Sequence, residues 1–372
     1  MPIFDPRPKS SLRDFFNMED ELKAFLKAIK FSPLTLVLGL RRYGKTSLIL
    51  TGLNVKGVKY VYVDCKSLPA GMIGPGDFAE LLVHAISDFS RKYRKLGYTL
   101  LRLLRNIKGI RVGEFQVSID LRRFSGSSLI ELLNGFEELG EEVVLVIDEA
   151  QELRRMVRYR ADSILAYIYD NLRNVKMVIS GSEIGLLYKL LRIQDPEAPL
   201  YGRAYVEIKL KKLSREKSLE FLKLGFKEYG VKVPEEIVRY IVDTVDGVIG
   251  WLAYVGFKMV SQGKYSREVV DEVLNEASKL VLKELERFLY LRPLAKERYL
   301  TILKAIAVFE KASWTSIYNY AQAELGKIPK PTFNSLLRNL MDAGFVEKEN
   351  STYKISDPIL KKAIAKFRKT SL

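Results

Sequence analysis

Over roughly the first 210 residues, short apolar runs alternate with stretches whose apolar positions recur every three or four residues. The runs at 34–38, 59–64, 142–147, 176–180 and 205–210 read as strands, several of them buried on both faces. Between them, 17–30, 46–53, 75–95, 127–139, 150–171 and 184–192 carry helical spacing. Leu22, Phe25, Leu26 and Ile29 form one such face, and Phe78, Leu81, Leu82 and Ile86 another. Strands alternating with helices predict an α/β unit built on a parallel sheet with helices on both faces. Residues 97–123 read two ways. A basic helical stretch leads into the strand-like alternation of RVGEFQVSID, which leaves open a hairpin insertion at about 109–122.

From 214 onward the strand signal stops. Helical patterns run 214–228, 234–245, 249–261 and 266–289, punctuated by Gly230, Gly247 and Gly263. Leu291-Arg292-Pro293 reads as a boundary. Beyond it come helices at 296–309, 313–325 and 331–343, strands at 345–348 and 352–356, and a basic helix at 358–369. Three helices and a short hairpin have the shape of a winged helix. The expected organisation is an α/β core over 1–212, a small helical domain over 213–290 and a winged-helix domain over 291–372.

Composition narrows the class. Hydrophobic residues make up 48% and charged residues 28%, enough apolar material for packed cores. No apolar run reaches the roughly 18–20 residues of a membrane span. One cysteine, Cys65, cannot form an internal disulfide, and one histidine, His84, cannot build a histidine-rich metal site. The first residues have no apolar core, so no secretory signal is expected and a cytoplasmic setting is. The net charge of +16 points to a polyanionic partner: nucleic acid, nucleotide or an acidic membrane surface. Heat-adapted surfaces are also rich in charge, although that accounts for the number of charges better than for their imbalance. Residues 292–372 hold 15 Lys and Arg against 7 Asp and Glu, half of the excess.

The chemistry concentrates in four places. Gly39-Leu40-Arg41-Arg42-Tyr43-Gly44-Lys45-Thr46, followed by Ser47, has the form G-x-x-x-x-G-K-T between a strand and a helix. The glycines let the backbone N–H groups curl around phosphates, the Lys45 ammonium reaches the β- and γ-phosphates, and the Thr46 hydroxyl binds Mg2+. The run Val143 to Ile147 ends in Asp148-Glu149, at the end of a strand, where α/β sheets place ligands. Asp148 is expected to hold Mg2+, directly or through water, beside Thr46, and Glu149 to polarise an attacking water as general base. In Val178-Ile179-Ser180-Gly181-Ser182, either serine is a candidate to face the γ-phosphate, with Ser182 the stronger. Arg203, in Leu200-Tyr201-Gly202-Arg203, is a candidate phosphate contact in cis or from a neighbouring subunit, the latter requiring an oligomer. The sequence has no Asn-Lys-x-Asp, so adenine nucleotides, ATP and ADP, are expected rather than guanine.

On these residues the chain resembles the archaeal P-loop ATPases of the AAA+/STAND group, relatives of origin-recognition initiators. The matching segments are Phe16-Asn17-Met18-Glu19-Asp20-Glu21-Leu22, GLRRYGKTSL, VVLVIDEAQEL, VISGSEIGLL, PLYGR and, in the helical domain, DGVIGWLAYVG. The resemblance covers about residues 12–290. It implies a P-loop NTPase sheet, ATP and Mg2+ binding, and a helical domain acting as a lid. The pattern departs at Met18, where the group usually has arginine, and near Ile249, where it usually has proline.

In the last domain the third helix, 331–343, carries Thr332, Asn334, Ser335, Arg338 and Asn339, polar side chains of the kind that read base edges in a major groove. Lys327, Lys330, Lys348 and Lys354 are candidate phosphate contacts. Winged helices also serve as protein-interaction modules, so duplex DNA and a protein partner both stand as expectations.

Overall fold

The computed structural model describes residues 2–69, 71–157, 160–309 and 311–366. The chain divides into two compact units, Pro8–Leu210 and Lys211–Leu372, with Met1–Arg7 belonging to the second.

The first unit runs α1 (Glu19–Phe31), β1 (Leu34–Leu38), α2 (Lys45–Lys56), β2 (Lys59–Asp64), α3 (Pro75–Lys92), α4 (Arg94–Leu104), β3 (Ile110–Val112), β4 (Val117–Ile119), α5 (Gly126–Glu137), β5 (Val143–Asp148), α6 (Ala161–Asn171), β6 (Val175–Gly181), α7 (Ile184–Leu191) and β7 (Val206–Lys209). Its sheet has the order β2-β5-β6-β1-β7, with every neighbouring pair parallel. All residues of β1 and β5 are buried, which is why these strands read as continuous apolar runs. β6 lies between β5 and β1, so the ends of these three strands converge.

The helix expected over 150–171 is not continuous. A 3-10 turn, Ala150–Arg155, is followed by extended backbone at Met156, and α6 begins only at Ala161. Residues 158–159 of that expectation lie outside the described residues. The break has a tertiary cause: Ile73 N–H donates to Arg155 O, Val157 N–H donates to Ile73 O, and the Arg155 guanidinium donates to Pro69 O and Gly71 O. Those bonds to a distant loop replace helical ones. The helix expected over 75–95 ends at Lys92, where the chain turns into α4. Gly97 then lies so close to Ser90 that a Cβ there would stand 2.4 Å from the Ser90 Cα. The ambiguous segment resolves into α4 and an antiparallel hairpin, β3–β4.

The second unit contains α8 (Arg215–Glu228), α9 (Glu235–Val245), α10 (Ile249–Gln262), α11 (Arg267–Tyr290), α12 (Lys296–Val308), β8 (Ala312–Ser313), α13 (Trp314–Leu325), α14 (Lys330–Asp342), β9 (Val346–Glu349), β10 (Thr352–Ile355) and α15 (Pro358–Lys366). Residues 367–369 of the predicted basic helix lie outside the described residues. The two-residue β8, which the pattern did not indicate, pairs with β10 to give an antiparallel sheet β8-β10-β9. With α12, α13 and α14 it forms a winged helix. The helices before it are joined to it by Trp251, whose buried indole N–H donates to Asp357 at 2.9 Å. Among the described residues no helix is long and apolar enough to cross a membrane.

The N-terminal segment is pinned to the second unit. Phe4 is fully buried among Phe221, Phe226 and Tyr229, and Ile3 N–H donates to Glu228 at 2.6 Å. Glycines make room for the ring: a Cβ on Gly225 or Gly256 would come within 2.2 or 2.6 Å of it. Phe4→Ala should therefore cost about 3–5 kcal/mol, read as a lower urea midpoint. An unchanged midpoint would mean that the ring is not seated in solution.

Candidate functional site

The loop between β1 and α2 has the backbone that its sequence requires. Gly44 adopts φ 86° at the N-terminus of α2, a conformation that L side chains disfavour. Gly39 leaves room for Leu210, whose Cβ would stand 3.1 Å from a Cβ at that position. Arg42 also has positive φ, at 67°. Leu40, Arg41, Tyr43 and Ser47 complete the loop and the first turn of the helix. The Arg41 guanidinium is ion-paired with Glu183 at 2.6 Å, and Ser47 Oγ accepts from Lys9 N–H. Lys45 is buried, and its ammonium donates to Gly39 O at 2.8 Å and Leu40 O at 3.2 Å.

Asp148, at the end of β5, is 1% exposed. Four donors surround its carboxylate. Thr46 Oγ1 donates to Oδ2 at 2.8 Å, and the Tyr62 hydroxyl donates to the same oxygen. Ser180 Oγ and Glu149 N–H donate to Oδ1. Thr46 and Asp148 thus offer adjacent hard oxygen donors, the chemistry that Mg2+ accepts. Their number is too small for an all-protein cage, and no cluster of three or more His, Cys, Asp or Glu suited to a metal occurs among the described residues. A cation here would complete its shell with phosphate and water.

Glu149 turns away from Asp148 through a left-handed backbone, φ 52°. Its Oε2 accepts from Ser182 N–H at 3.1 Å, from Ser182 Oγ and from Gln151 Nε2 at 2.7 Å. Its Oε1 lies 3.6 Å from each of the Lys45 and Lys66 ammoniums. Burial alone would push this carboxyl up, but the two ammoniums and the Ser182 and Gln151 donors outweigh it and hold it down to about 2. Gln151 is itself buried, and its Oε1 has no hydrogen-bond partner among the described residues.

The structure thus gathers Lys45, Thr46, Asp148, Glu149 and Ser182 at the ends of β1, β5 and β6. Ser180 points to Asp148 and Ser182 to Glu149, so the two candidate serines divide the two acids. Arg203 is engaged elsewhere. Its guanidinium forms a two-bond pair with Asp170 of α6, with Nε to Oδ1 at 2.8 Å, and donates to Pro199 O. Sequence reasoning missed Tyr62, Gln151 and Lys66. A tyrosine hydroxyl in the buried strand KYVYVD and a glutamine just after two acids were usable signals; Lys66 gave none. Cys65 is buried and its thiol is pushed well up by burial, so it is unreactive packing. His84 lies on the exposed side of α3.

In the winged helix, Lys330, Asn334, Ser335, Arg338, Lys348 and Lys354 are exposed and Thr332 is half-buried. Asn334 accepts from the Trp314 indole at 2.7 Å, and Lys354 is paired with Glu349 at 2.8 Å. Asn339 differs from its expected base-facing role: it is turned toward α12 and donates to the Tyr299 hydroxyl at 3.0 Å. Phe333, Leu336, Leu337 and Leu340 form the buried side of α14.

Comparison with known proteins extends this. A family profile described as an ATPase domain predominantly from Archaea matches residues 15–255. A second, the C-terminal winged helix-turn-helix domain of MCM proteins, matches residues 293–372. The Walker-type ATPase of Pyrococcus abyssi is similar at 33% identity and a TM-score of 0.80, over 97% of this chain and 99% of that one. The Aeropyrum pernix ORC2 protein, solved in ADPNP and ADP complexes, shares the fold at a TM-score of 0.58 and 13% identity, over 97% of each chain. No curated protein matched the chain.

The Tyr62 bond to Asp148 has a measurable consequence. Tyr62→Phe keeps the ring and removes one donor from a buried carboxylate, which should lower the stability of the ligand-free protein by about 1–2 kcal/mol in urea unfolding. No change would show that this hydroxyl contributes nothing to holding Asp148.

Proposed function

The chain belongs to this predominantly archaeal ATPase-domain family and hydrolyses ATP, and on that premise we propose that it works as an AAA+/STAND-type nucleotide-driven switch coupled to duplex DNA through its winged helix. The observation that carries the proposal is the convergence of a phosphate-type loop with Lys45, Thr46, Asp148, Glu149 and Ser182 at three adjacent strand ends. In this reading the N–H groups from Gly39 to Ser47 wrap the phosphates of ATP. Lys45 leaves the Gly39 and Leu40 carbonyls to meet the β- and γ-phosphates. Thr46 and Asp148 would hold Mg2+, which when bound neutralises phosphate charge.

Glu149 takes a proton from water as the water oxygen attacks the γ-phosphorus and ADP leaves. A carboxylate held near 2, chiefly by the Lys45 and Lys66 ammoniums, is a weak base. Glu149 gains basicity when Lys45 turns to the nucleotide and its ammonium no longer faces the carboxylate. Ser182 and Gln151 keep the carboxylate in place during that exchange. Arg203 enters as a phosphate contact, in cis or in trans, only after leaving Asp170.

Lys45→Ala should abolish most ATP affinity, measured with a fluorescent nucleotide. Glu149→Gln should retain binding and lose turnover by about two to four orders of magnitude. Undiminished hydrolysis by Glu149→Gln would remove Glu149 from the reaction, and unchanged affinity in Lys45→Ala would overturn the site assignment.

The partner reading is supported by the charge of the winged helix and by the exposed Lys330, Ser335, Arg338 and Lys348 on and beside α14. Arg338→Ala, alone and with Lys330→Ala, should weaken duplex binding and reduce the salt slope by about one for each phosphate no longer neutralised. Flat salt dependence in the parent protein would favour a protein partner for this domain.

A further inference from the structure

The excess positive charge of this chain is confined to two segments. Residues 91–123 hold ten Lys and Arg against two acidic residues, and residues 292–372 hold fifteen against seven. Each segment is therefore +8, together the whole of +16, and the remaining residues balance at 36 basic and 36 acidic. A general enrichment in surface charge does not concentrate this way. The winged helix accounts for one segment. The other lies in the ATPase unit, across the end of α3, all of α4 and the β3–β4 hairpin.

The apolar side of this insertion is already committed. Leu100, Leu101 and Leu104 of α4 are buried, and α4 packs against α3 and α5. The cationic side faces out, with all ten basic side chains exposed. Arg91 pairs with Asp88, Lys92 lies 3.9 Å above the Tyr60 ring, and Arg111 pairs with Asp120 at 2.9 Å. Arg94, Lys95, Arg102, Arg105, Lys108 and the Arg122–Arg123 pair make no ion pair among the described residues.

The hairpin gathers them. Gly109, with φ +82°, lies so close to the returning chain that a Cβ would stand 2.6 Å from Phe124 N, and Asp120 N–H donates to Gly109 O at 2.8 Å. This sets Arg122 and Arg123 beside Lys108, at the end of α4 where Arg105 lies. Tyr98, 63% exposed, sits one turn from both Arg94 and Arg102 on the same helical stripe.

We propose that this α4–hairpin insertion binds the phosphodiester backbone of a nucleic-acid duplex, as a surface separate from the winged helix and without reading sequence. α4 is about 16 Å long. A duplex offers one phosphate charge per about 1.7 Å of axis, so an element of this size meets several phosphates at once. Its outward side chains are mainly cations, which hold phosphates but do not distinguish bases. A lipid surface fits less well. Interfacial helices insert an apolar face, and the apolar face of α4 is buried in the protein.

The test uses the full chain and fluorescence anisotropy with two labelled duplexes of unrelated sequence over a salt series. A variant carrying Arg102→Ser, Arg105→Ser and Lys108→Ser should bind both duplexes about ten- to a hundredfold more weakly, with the log–log salt slope reduced by about two to three. Arg122→Ser with Arg123→Ser should act in the same direction. Lysine at 102 and 105 (R102K, R105K) should leave binding near the parent level, while ATP affinity and thermal unfolding stay unchanged in all variants.

An unchanged slope in both serine variants overturns the proposal. So does loss of binding to phosphatidylserine vesicles with duplex binding intact. Loss confined to one of the two duplex sequences overturns its sequence independence. The winged-helix reading fails separately. If Arg338→Ala with Lys330→Ala leaves duplex binding intact while the insertion variants abolish it, that reading falls and the insertion surface stands.

Discussion

A buried carboxylate with no partners is among the costliest groups a fold can contain. Asp148 sits at the end of the buried strand β5 with almost no exposure, and four donors reach it. Thr46 comes from the start of α2, Tyr62 from β2, Ser180 from β6, and the fourth donor is the next N–H along the chain. The first three tie α2, β2 and β6 to the end of β5. The strand order β2-β5-β6 places Tyr62 and Ser180 on either side of Asp148, and the Gly39–Thr46 loop brings Thr46 to it. The position suits this, because strand ends are where a parallel sheet opens to solvent.

The second acid inherits the consequences. With Asp148 occupied, Glu149 turns away through a left-handed backbone and finds its own partners in Ser182, Gln151 and the Lys45 and Lys66 ammoniums. A non-glycine residue in that conformation is strained, and such strain persists where the surroundings over-determine it. Lys45 meanwhile satisfies itself on the carbonyls of its own loop. The groups of the site are thus bonded to one another, each catalytic candidate held by another group of the protein. The same groups are within reach of exchange, since one lysine contacts both the loop and Glu149.

Charge is divided differently from chemistry. The site lies in a part of the chain whose basic and acidic residues otherwise cancel, while the whole excess sits in the α4–hairpin insertion and the winged helix. The two segments are built alike in one respect: an apolar side is buried against the protein and a cationic side is left to solvent. Electrostatic attraction to a polyanion is therefore offered at two places on one chain.

The parallel sheet, its helices, the winged-helix end and the residues of the phosphate loop were legible in the chain itself, because each rests on local pattern. Apolar runs mark doubly covered strands, helical spacing marks packed faces, and G-x-x-x-x-G-K-T encodes a backbone turn that only those glycines allow. The tertiary structure decided what depends on contacts between distant residues. The break after Arg155 arises from bonds to the 69–73 loop. The anchoring of Phe4 depends on two glycines more than 200 residues away. Asn339 turned inward because Tyr299 stood in reach. Ser180 and Ser182, two residues apart, took different acids because β6 ends at Gly181, so Ser182 leaves the pleat that would have set it on the same face as Ser180. Tyr62, Gln151 and Lys66 joined the site because buried charges recruit donors from whatever element lies nearest, and nearness in space is what a linear pattern does not carry.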